Sequence, residues 1–358
     1  MGKPPGTFSL LLVVLSLVCV SPLPISTAGA RMRIARTPLA HEKYLRQRQL
    51  TDIVDRGSHP SLHMFSSKMF FSEREKRERK TGADTSNPPI KYRGGPVMTG
   101  NPSINVYIIY YGSWPAGSGH NIIENFIRSL SADSKRQGGP ADPKVKRWWA
   151  ISAAYTQEGE NGAKRNVSKK VRLARTVYDN YSAGTDFGQD TVWEVISSKM
   201  GDRKPFPYDA NGIYLLLTSK DVTVPGFCTE SLGWHSMNSF ESKPVVLSFV
   251  GHPGQCPAEW QRNPSPNGNP AIDFMLSSIA HEIAEAATDP DCVMGWMDDT
   301  DAENADKCSS DFGKTKKGQD RRGGTYEYNL VGLKNMRFLI QSNWDRQKNK
   351  CVTQRRYQ

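Results

Sequence analysis

The chain has 358 residues, of which 37% are hydrophobic, and a formal net charge of +11. Most of the basic excess lies near the N-terminus, because residues 31–90 hold 13 Lys and Arg against 7 Asp and Glu, whereas residues 91–358 hold 33 against 29. A nucleic-acid-binding protein needs basic residues concentrated on its folded domain, so this distribution argues against that class. Weak attraction to acidic cell-wall polysaccharide or to a membrane surface stays compatible with the charge.

The first 30 residues have the pattern of a secretory signal peptide. Lys3 precedes an apolar run at residues 8–20, which is shorter than the about 20 residues that a membrane-spanning helix needs. An Ala-x-Ala pattern fits cleavage after Ala30 and disfavours an uncleaved signal anchor. No second long apolar run follows, so we predict a secreted, extracellular protein that loses residues 1–30 and has no membrane anchor. Two N-glycosylation sequons agree with secretion, at Asn166 and Asn180.

Residues 31–90 combine dense charge with few apolar clusters. Such a composition buries too little surface to offset the entropy that ordering costs, so we expect a disordered linker or a pro-segment. The sequence Arg-Glu-Lys-Arg at residues 74–77 fits a dibasic convertase site, after which a pro-segment would be released. Dibasic pairs are also frequent in solvated linkers, and we prefer that interpretation.

From residue 91 onward, the apolar pattern predicts strands that alternate with helices. Runs of β-branched and aromatic residues indicate buried strands, and apolar residues at helical spacing indicate helices. In chain order, we predict a strand at 103–111, helices at 121–130 and 145–155, a strand at 171–178, a helix at 191–200, strands at 212–218 and 245–250, a loop at 253–270, a helix at 271–288 and a last strand at 336–340. This alternation predicts one α/β domain over residues 91–358, with a mixed sheet and flanking helices.

Five cysteines follow the predicted signal peptide, and disulfide bonds are expected in an oxidising compartment. Since five is an odd number, one cysteine is left free or forms an intermolecular bond. We expect Cys228 to pair with Cys256 and Cys308 with Cys351, leaving Cys292, although cysteine positions alone do not fix the connectivity.

The predicted helix at residues 271–288 carries a motif with the spacing of a metal site. His281 and Glu285 are four residues apart and therefore share one face of the helix. The two histidines of the zinc motif H-E-x-x-H have this spacing, and a carboxylate is also an acceptable zinc ligand. Glu282 occupies the position of the base that activates a metal-bound water in such sites. We predict His281 and Glu285 as zinc ligands and Glu282 as the candidate catalytic residue.

A catalytic zinc needs a third protein ligand and one open position. The acidic segment at residues 298–308 follows the helix, and within it we favour Glu303 and Asp306 as further ligands. Three alternatives stay open, which are Asp289, Asp291 and, from a preceding loop, His235.

Two other interpretations of the motif also stay open. The carboxylates could simply be solvated, although burial of such groups without a metal ion or a basic partner would be expensive. Their oxygen ligands would also suit Ca²⁺, but His281 favours zinc.

Several segments of the chain resemble the EXORDIUM family of plant phosphate-induced proteins. These segments are GGPV at 94–97 with INVYIIYYGSW at 104–114, the pair Trp148-Trp149, GFC at 226–228 with Gly233-x-His235, HEIAEAATDP at 281–290, ENADKC at 303–308 and FLIQSNWDRQKNKCV at 338–352. The resemblance implies a secreted, apoplastic protein that is linked to cell expansion and growth signalling and has no established enzymatic activity. It spans nearly all of the chain from residue 91 onward.

The chain departs from the family pattern in its cysteines. Ser231 and Leu232 fill the stretch in which the family has a second cysteine after the one matching Cys228. The family also has a second cysteine after the one matching Cys256, where this chain reads CPAEWQ at 256–261. The resemblance implies that these two missing cysteines pair with each other in the family.

The series H-E-x-x-E, T-D-P and E-x-x-D-x-C also resembles metallopeptidase folds of the metzincin kind, although Thr288 stands where metzincins have glycine. This likeness is an analogy at the level of the fold and only raises the expectation of a metzincin-like architecture.

Two main hypotheses result. The first is a cell-wall or matrix protein of the EXORDIUM type, which binds an extracellular protein or cell-wall polysaccharide and has a structural metal site. The second is a secreted zinc hydrolase with Glu282 as general base. A weaker third idea is carbohydrate binding through tryptophans predicted in loops, at Trp114, Trp234 and Trp296.

Overall fold

We describe residues 63–66, 88–132, 144–159, 161–188 and 190–355 of a computed structural model. The predicted signal peptide, the dibasic pattern and most of the predicted linker or pro-segment lie outside the described residues.

A six-stranded mixed sheet forms the centre of the described structure. Its strands, in order across the sheet, are β1 (His63–Ser66), β8 (Ser231–Phe240), β9 (Lys243–Val250), β7 (Gly212–Thr218), β3 (Ile104–Tyr111) and β6 (Val171–Asp179). The last four are mutually parallel, β8 is antiparallel to β9, and β1 is antiparallel to β8. The short β1 belongs to the segment that the sequence predicts as disordered or as a pro-segment, and it adds an edge strand to the sheet.

Four helices within the described residues pack on the two faces of this sheet. They are α1 (His120–Ser129), α2 (Lys144–Ser152), α3 (Thr191–Ser198) and α4 (Pro270–Thr288). The apolar residues of α1, α2 and α4 form one core with one face of the sheet, and those of α3 form a second core with the other face. The predicted α/β class, with a mixed sheet and flanking helices, is therefore confirmed.

Strand β3 shows why the sheet has helices on both faces. All eight of its side chains are buried. Because successive side chains of a strand point to opposite faces, Ile108 and Tyr110 join the core under α1, α2 and α4, whereas Ile109 and Tyr111 join the core under α3. A continuous apolar run of this kind is typical of a strand buried on both faces.

Helix α4 is buried along most of its length. Its N-terminus is capped by Asn269, whose side-chain oxygen accepts a hydrogen bond from the Ile272 N–H, and Pro270 occupies the first turn. From Met275 to Thr288 every side chain is buried, including several polar ones. Burial of polar residues on a core helix requires hydrogen-bond or ionic partners, and the last two turns of α4 contain three buried ionisable residues, His281, Glu282 and Glu285.

The remaining strands of the described chain form short antiparallel pairs. They are β2 (Lys91–Tyr92) with β10 (Trp296–Met297), β4 (Thr156–Glu158) with β5 (Lys164–Asn166), β11 (Lys316–Gln319) with β12 (Thr325–Tyr328), β13 (Leu330–Val331) with β14 (Arg337–Phe338), and β15 (Asn343–Asp345) with β16 (Lys350–Val352). The sequence predicts an irregular region after α4, but most of these pairs lie there. The predicted last strand at 336–340 shortens to the two residues of β14.

Both expected disulfides are present, Cys228–Cys256 and Cys308–Cys351, whereas the buried Cys292 forms no disulfide and its thiol donates to the carbonyl of His235. The tryptophans predicted in loops do not form an exposed sugar platform, because Trp114 and Trp296 are buried and Trp234 lies half-buried on β8. No helix among the described residues combines the length and the apolar character needed to cross a bilayer.

Candidate functional site

The last two turns of α4 place three ionisable side chains in the interior. His281 and Glu282 are fully buried, and Glu285 is 1% exposed. Strand β8 packs against α4 and supplies His235, which is also fully buried. The chain after α4 returns to the same place through Glu303 and through a single 3-10 turn, Asp306–Cys308.

One group of donors consists of three residues that the sequence predicts as metal ligands. The Nε2 atom of His281 lies 3.0 Å from Oε2 of Glu285 and 3.3 Å from Oδ1 of Asp306. The backbone N–H of Asp306 donates to the other oxygen of Glu285, at 2.9 Å, which holds the 3-10 turn against α4. These three residues form a compact set of potential ligands.

Gln341 fixes the orientation and the tautomer of the His281 ring. The side-chain amide N–H of Gln341 donates to the carbonyl of Ala305, so its amide oxygen faces the ring, 3.2 Å from Nδ1. An amide oxygen can only accept, and therefore Nδ1 of His281 carries the proton that it donates. Partners of this kind orient metal-ligating histidines, because they leave the other ring nitrogen free to bind the metal.

The Nε2 atom of His281 thus faces two carboxylates, an arrangement that favours a positive charge on or beside the ring. Burial alone would lower the pKa of His281, but Glu285 and Asp306 outweigh that effect and raise the pKa well above its usual range. Either a proton or a metal ion at Nε2 would satisfy both carboxylates.

A second group forms around His235 and shares Glu285 with the first. Glu303 belongs to this group rather than to the group of His281, with its Oε2 atom 3.7 Å from Nε2 of His235. The Nδ1 atom of His235 lies 3.5 Å from Oε2 of Glu282 and 3.9 Å from Oε2 of Glu285. The sequence predicts a loop at His235, but the residue lies on β8, and this strand brings it to α4.

The backbone of β8 approaches α4 closely because residue 233 is glycine. A Cβ atom at Gly233 would lie 2.7 Å from the carbonyl oxygen of Phe249 and 3.1 Å from Oε1 of Glu282. Only glycine therefore fits between the neighbouring strand and the Glu282 carboxylate. The spacing Gly233-x-His235 in the sequence was the signal that could have placed His235 at this site.

Glu282 has an unusual environment for a carboxylate. Both of its oxygens are buried, and neither accepts a hydrogen bond from the described residues. Burial raises the pKa of Glu282 well above its usual range, and repulsion by Glu285 and Asp306 adds to the rise against the opposing effect of His281. Burial likewise raises the pKa of Glu303, and repulsion by Glu285 adds to it. Without a cation these groups would have to take up protons.

The two other aspartates considered as ligands have local structural roles. Asp289 accepts a hydrogen bond from the Gly295 N–H at 2.8 Å, and Asp291 accepts one from the Met294 N–H at 2.9 Å. Both bonds hold the turn that follows α4, and neither residue belongs to the two groups of potential ligands.

The donor set suits a divalent cation that is retained inside the protein. Tetrahedral zinc, with bonds of about 2.0–2.2 Å, holds its ligand atoms roughly 3.3–3.6 Å apart. The separations at Nε2 of His281 are 3.0 and 3.3 Å, and those at Nδ1 of His235, to Glu282 and Glu285, are 3.5 and 3.9 Å. Asp306, at 22% exposure of its side chain, reaches the solvent, whereas the other donors are buried.

Sequence comparisons relate the chain to plant proteins. The family model of the phosphate-induced protein 1 conserved region matches residues 90–354, which include both groups of potential ligands. The chain is 34% identical over 293 residues to Protein EXORDIUM-like 3 of Arabidopsis thaliana, covering 74% of this chain and 82% of the relative. It is 32% identical over 288 residues to Protein EXORDIUM-like 5 of the same plant, covering 72% and 75%.

A further relative is Protein PHOSPHATE-INDUCED 1 of Nicotiana tabacum, which is 25% identical over 299 residues, covering 75% of this chain and 90% of the relative. No solved structure is significantly similar to the chain.

Proposed function

Since this chain belongs to the phosphate-induced protein 1 family, we propose that it is a secreted, apoplastic protein of the EXORDIUM type that holds a divalent metal ion, zinc, inside its domain. The N-terminal signal-peptide pattern, two disulfides and exposed asparagines in both sequons support secretion and glycosylation. We infer from the family resemblance that the protein contributes to cell expansion and growth signalling by binding an extracellular protein or cell-wall polysaccharide.

One observation carries the proposal of a metal ion. Nδ1 of His281 donates to Gln341, so that Nε2 faces Glu285 and Asp306 inside the protein. These three residues are the ligands that we propose for the zinc ion, with Glu303 nearby. A zinc ion there would join α4 to the 3-10 turn that follows it, and its binding free energy would add to the free energy of unfolding.

A structural site is favoured over the competing hypothesis of a secreted zinc hydrolase. In that hypothesis Glu282 would be the general base, and a substrate would have to reach it. Glu282 is fully buried, as are His281 and His235, which argues against access for a substrate. The metzincin-like architecture remains a prediction.

The metal content of the purified, secreted, full-length protein tests the proposal. We expect zinc in the wild type, and loss of the ion bound at His281 in both the His281→Ala and the Glu285→Ala variants. The matched control is His252→Ala, because His252 lies outside both groups of potential ligands. A well-folded wild-type protein without metal would overturn the proposed site.

A Glu282→Gln variant separates the two hypotheses. If the protein is a hydrolase, the variant should lose activity and still keep its fold and the zinc ion at His281. For a binding protein with a structural site, no hydrolytic activity depends on Glu282, and the substitution should change stability while the zinc ion at His281 stays bound. An activity that survives the substitution would exclude Glu282 as the general base.

A further inference from the structure

We infer that the centre holds two divalent cations, which share Glu285 as a bridging ligand. One cation is the zinc ion proposed above, bound by His281, Glu285 and Asp306. The second is bound by His235, Glu282, Glu285 and Glu303. This inference rests on the proposed function, since it adds a second ion to the same centre.

The two groups of donors lie on either side of Glu285. Its Oε2 atom is 3.0 Å from Nε2 of His281 and 3.9 Å from Nδ1 of His235. The two imidazoles come from different elements, α4 and β8, and Glu285 is common to both groups. A carboxylate between two imidazoles from separate elements has the position of a bridging ligand.

The ring of His235 has the same kind of orientation as the ring of His281. Its Nε2 atom lies 3.2 Å from the backbone carbonyl oxygen of Asp289. A carbonyl oxygen can only accept, so Nε2 donates, and Nδ1 is the ring nitrogen that faces the carboxylates of Glu282 and Glu285. An imidazole nitrogen facing two carboxylates needs a proton or a cation between them, and a cation would bind both carboxylates at once.

Glu282 provides an independent observation. Its carboxylate is fully buried and accepts no hydrogen bond from the described residues, yet Oε2 lies 3.5 Å from Nδ1 of His235. The ion pairs that Glu282 and Glu285 make within the described chain are with histidines and not with lysine or arginine. A buried carboxylate without donors is expensive, and a cation bound by His235 would remove that cost.

The number of carboxylates in the centre matches the charge of two divalent ions. The centre contains four carboxylates, which belong to Glu282, Glu285, Glu303 and Asp306. Two divalent cations would offset all four carboxylates in their ionised form while both imidazoles stay neutral, whereas one cation would offset two and leave the others to be neutralised by protons. One imidazole and three carboxylates form a ligand set that suits zinc as well as harder divalent ions.

The experiment counts zinc ions per chain. Purified, full-length protein is stripped of metal, loaded with Zn²⁺ and freed of excess ion, and bound zinc is measured by mass spectrometry alongside protein concentration. We expect two ions in the wild type and in the His252→Ala control. We expect one ion in His235→Ala, one in His281→Ala, and none or one weakly held ion in Glu285→Ala.

If His235→Ala does not fold, the nearly isosteric Glu303→Gln variant provides a second test of the same site. It should bind one ion while its near-ultraviolet circular dichroism stays that of the wild type. A wild-type protein with one ion would overturn the inference and leave the proposed function intact, whereas a wild-type protein with none would overturn both. Two ions that both persist in a folded Glu303→Gln variant would remove Glu303 from the second site.

Discussion

Gln341 is the residue that gives His281 a defined ring orientation, although the two lie 60 residues apart in the sequence. It is fully buried, and its two polar side-chain atoms are used by His281 and by the carbonyl of Ala305. Such an outer partner is as much a part of a metal centre as the ligand that it orients.

We predict that Gln341→Leu lowers the zinc affinity of the His281 centre by about 10–100-fold, because the ring loses the acceptor for its Nδ1 proton. Competition with a chelator of known affinity measures the change. Gln255→Leu is the matched control, since Gln255 donates to the carbonyl of Val222 at a different place in the fold. An unchanged affinity in Gln341→Leu would show that the ring orientation does not depend on Gln341.

At the scale of residues, the sequence predicts part of the centre and misses another part for a physical reason. The four-residue spacing of His281 and Glu285 is a local property, and the structure indeed brings these residues to Asp306. His235 could not be located in the same way, because β8 reads SLGWHSMNSF and lacks the apolar run of a buried strand. His235 is buried because β8 contacts β9 and α4, and residues of α4 are distant from His235 in the sequence.

An ion pair holds α3 to the end of β6. Lys199 is the C-cap residue of α3. Its ammonium nitrogen lies 2.5 Å from Oδ2 of Asp179, the last residue of β6. Burial alone would raise the pKa of Asp179, but hydrogen bonds from Lys199 and Ser182 outweigh that effect and hold the pKa below its usual value.

We predict that Lys199→Met lowers the free energy of unfolding by about 2 kcal/mol at neutral pH, which is typical of a hydrogen bond to a charged group. The native pKa of Asp179 is lower than its unfolded value of about 3.9, so its contribution is fully present above that pH and is lost as the pH falls through the native pKa. Urea unfolding at pH 7 and pH 3 should show a smaller difference between variant and wild type at pH 3.

The exposed Lys204 provides the control, and Lys204→Met should behave as the wild type at both pH values. A deficit of the Lys199→Met variant that is equal at pH 7 and pH 3 would contradict the assigned role of the ion pair.

At the scale of elements, long apolar patterns predict well and short polar strands do not. The strand Gly212–Thr218 has the predicted bounds, and α4 differs from the prediction by one residue, because both carry a strong pattern over many residues. The pairs after α4 have strands of two to four residues, such as Lys316–Gln319, which are too short for a periodic signal. Their pairing partners define them as strands.

The two disulfides connect different pairs of segments in the molecule. Cys228–Cys256 joins the segment before β8 to the segment before α4, across 28 residues. Cys308–Cys351 joins the 3-10 turn that carries Asp306 to β16, across 43 residues. Only the second disulfide therefore holds a residue of the proposed metal centre in place.

We predict that replacing Cys308 and Cys351 by serine lowers the free energy of unfolding by about 2–5 kcal/mol and also weakens zinc binding at His281. Replacing Cys228 and Cys256 should lower stability by a similar amount and leave zinc binding unchanged. Urea unfolding and chelator competition on both double variants measure the two effects. Equal zinc affinities in the two double variants would contradict the link between Cys308 and the metal centre.

Burial of His281, Glu282 and Glu285 determines how fast an ion leaves the centre as well as how tightly it is held. Of the proposed ligands only Asp306 reaches the solvent, so a chelator has little access to the ion and release has to wait until the local structure opens. The rate of zinc removal would therefore level off as the chelator concentration rises, and the plateau would equal the opening rate of α4 and its following turn. The rate of zinc release would therefore measure the rate of local opening in the protein.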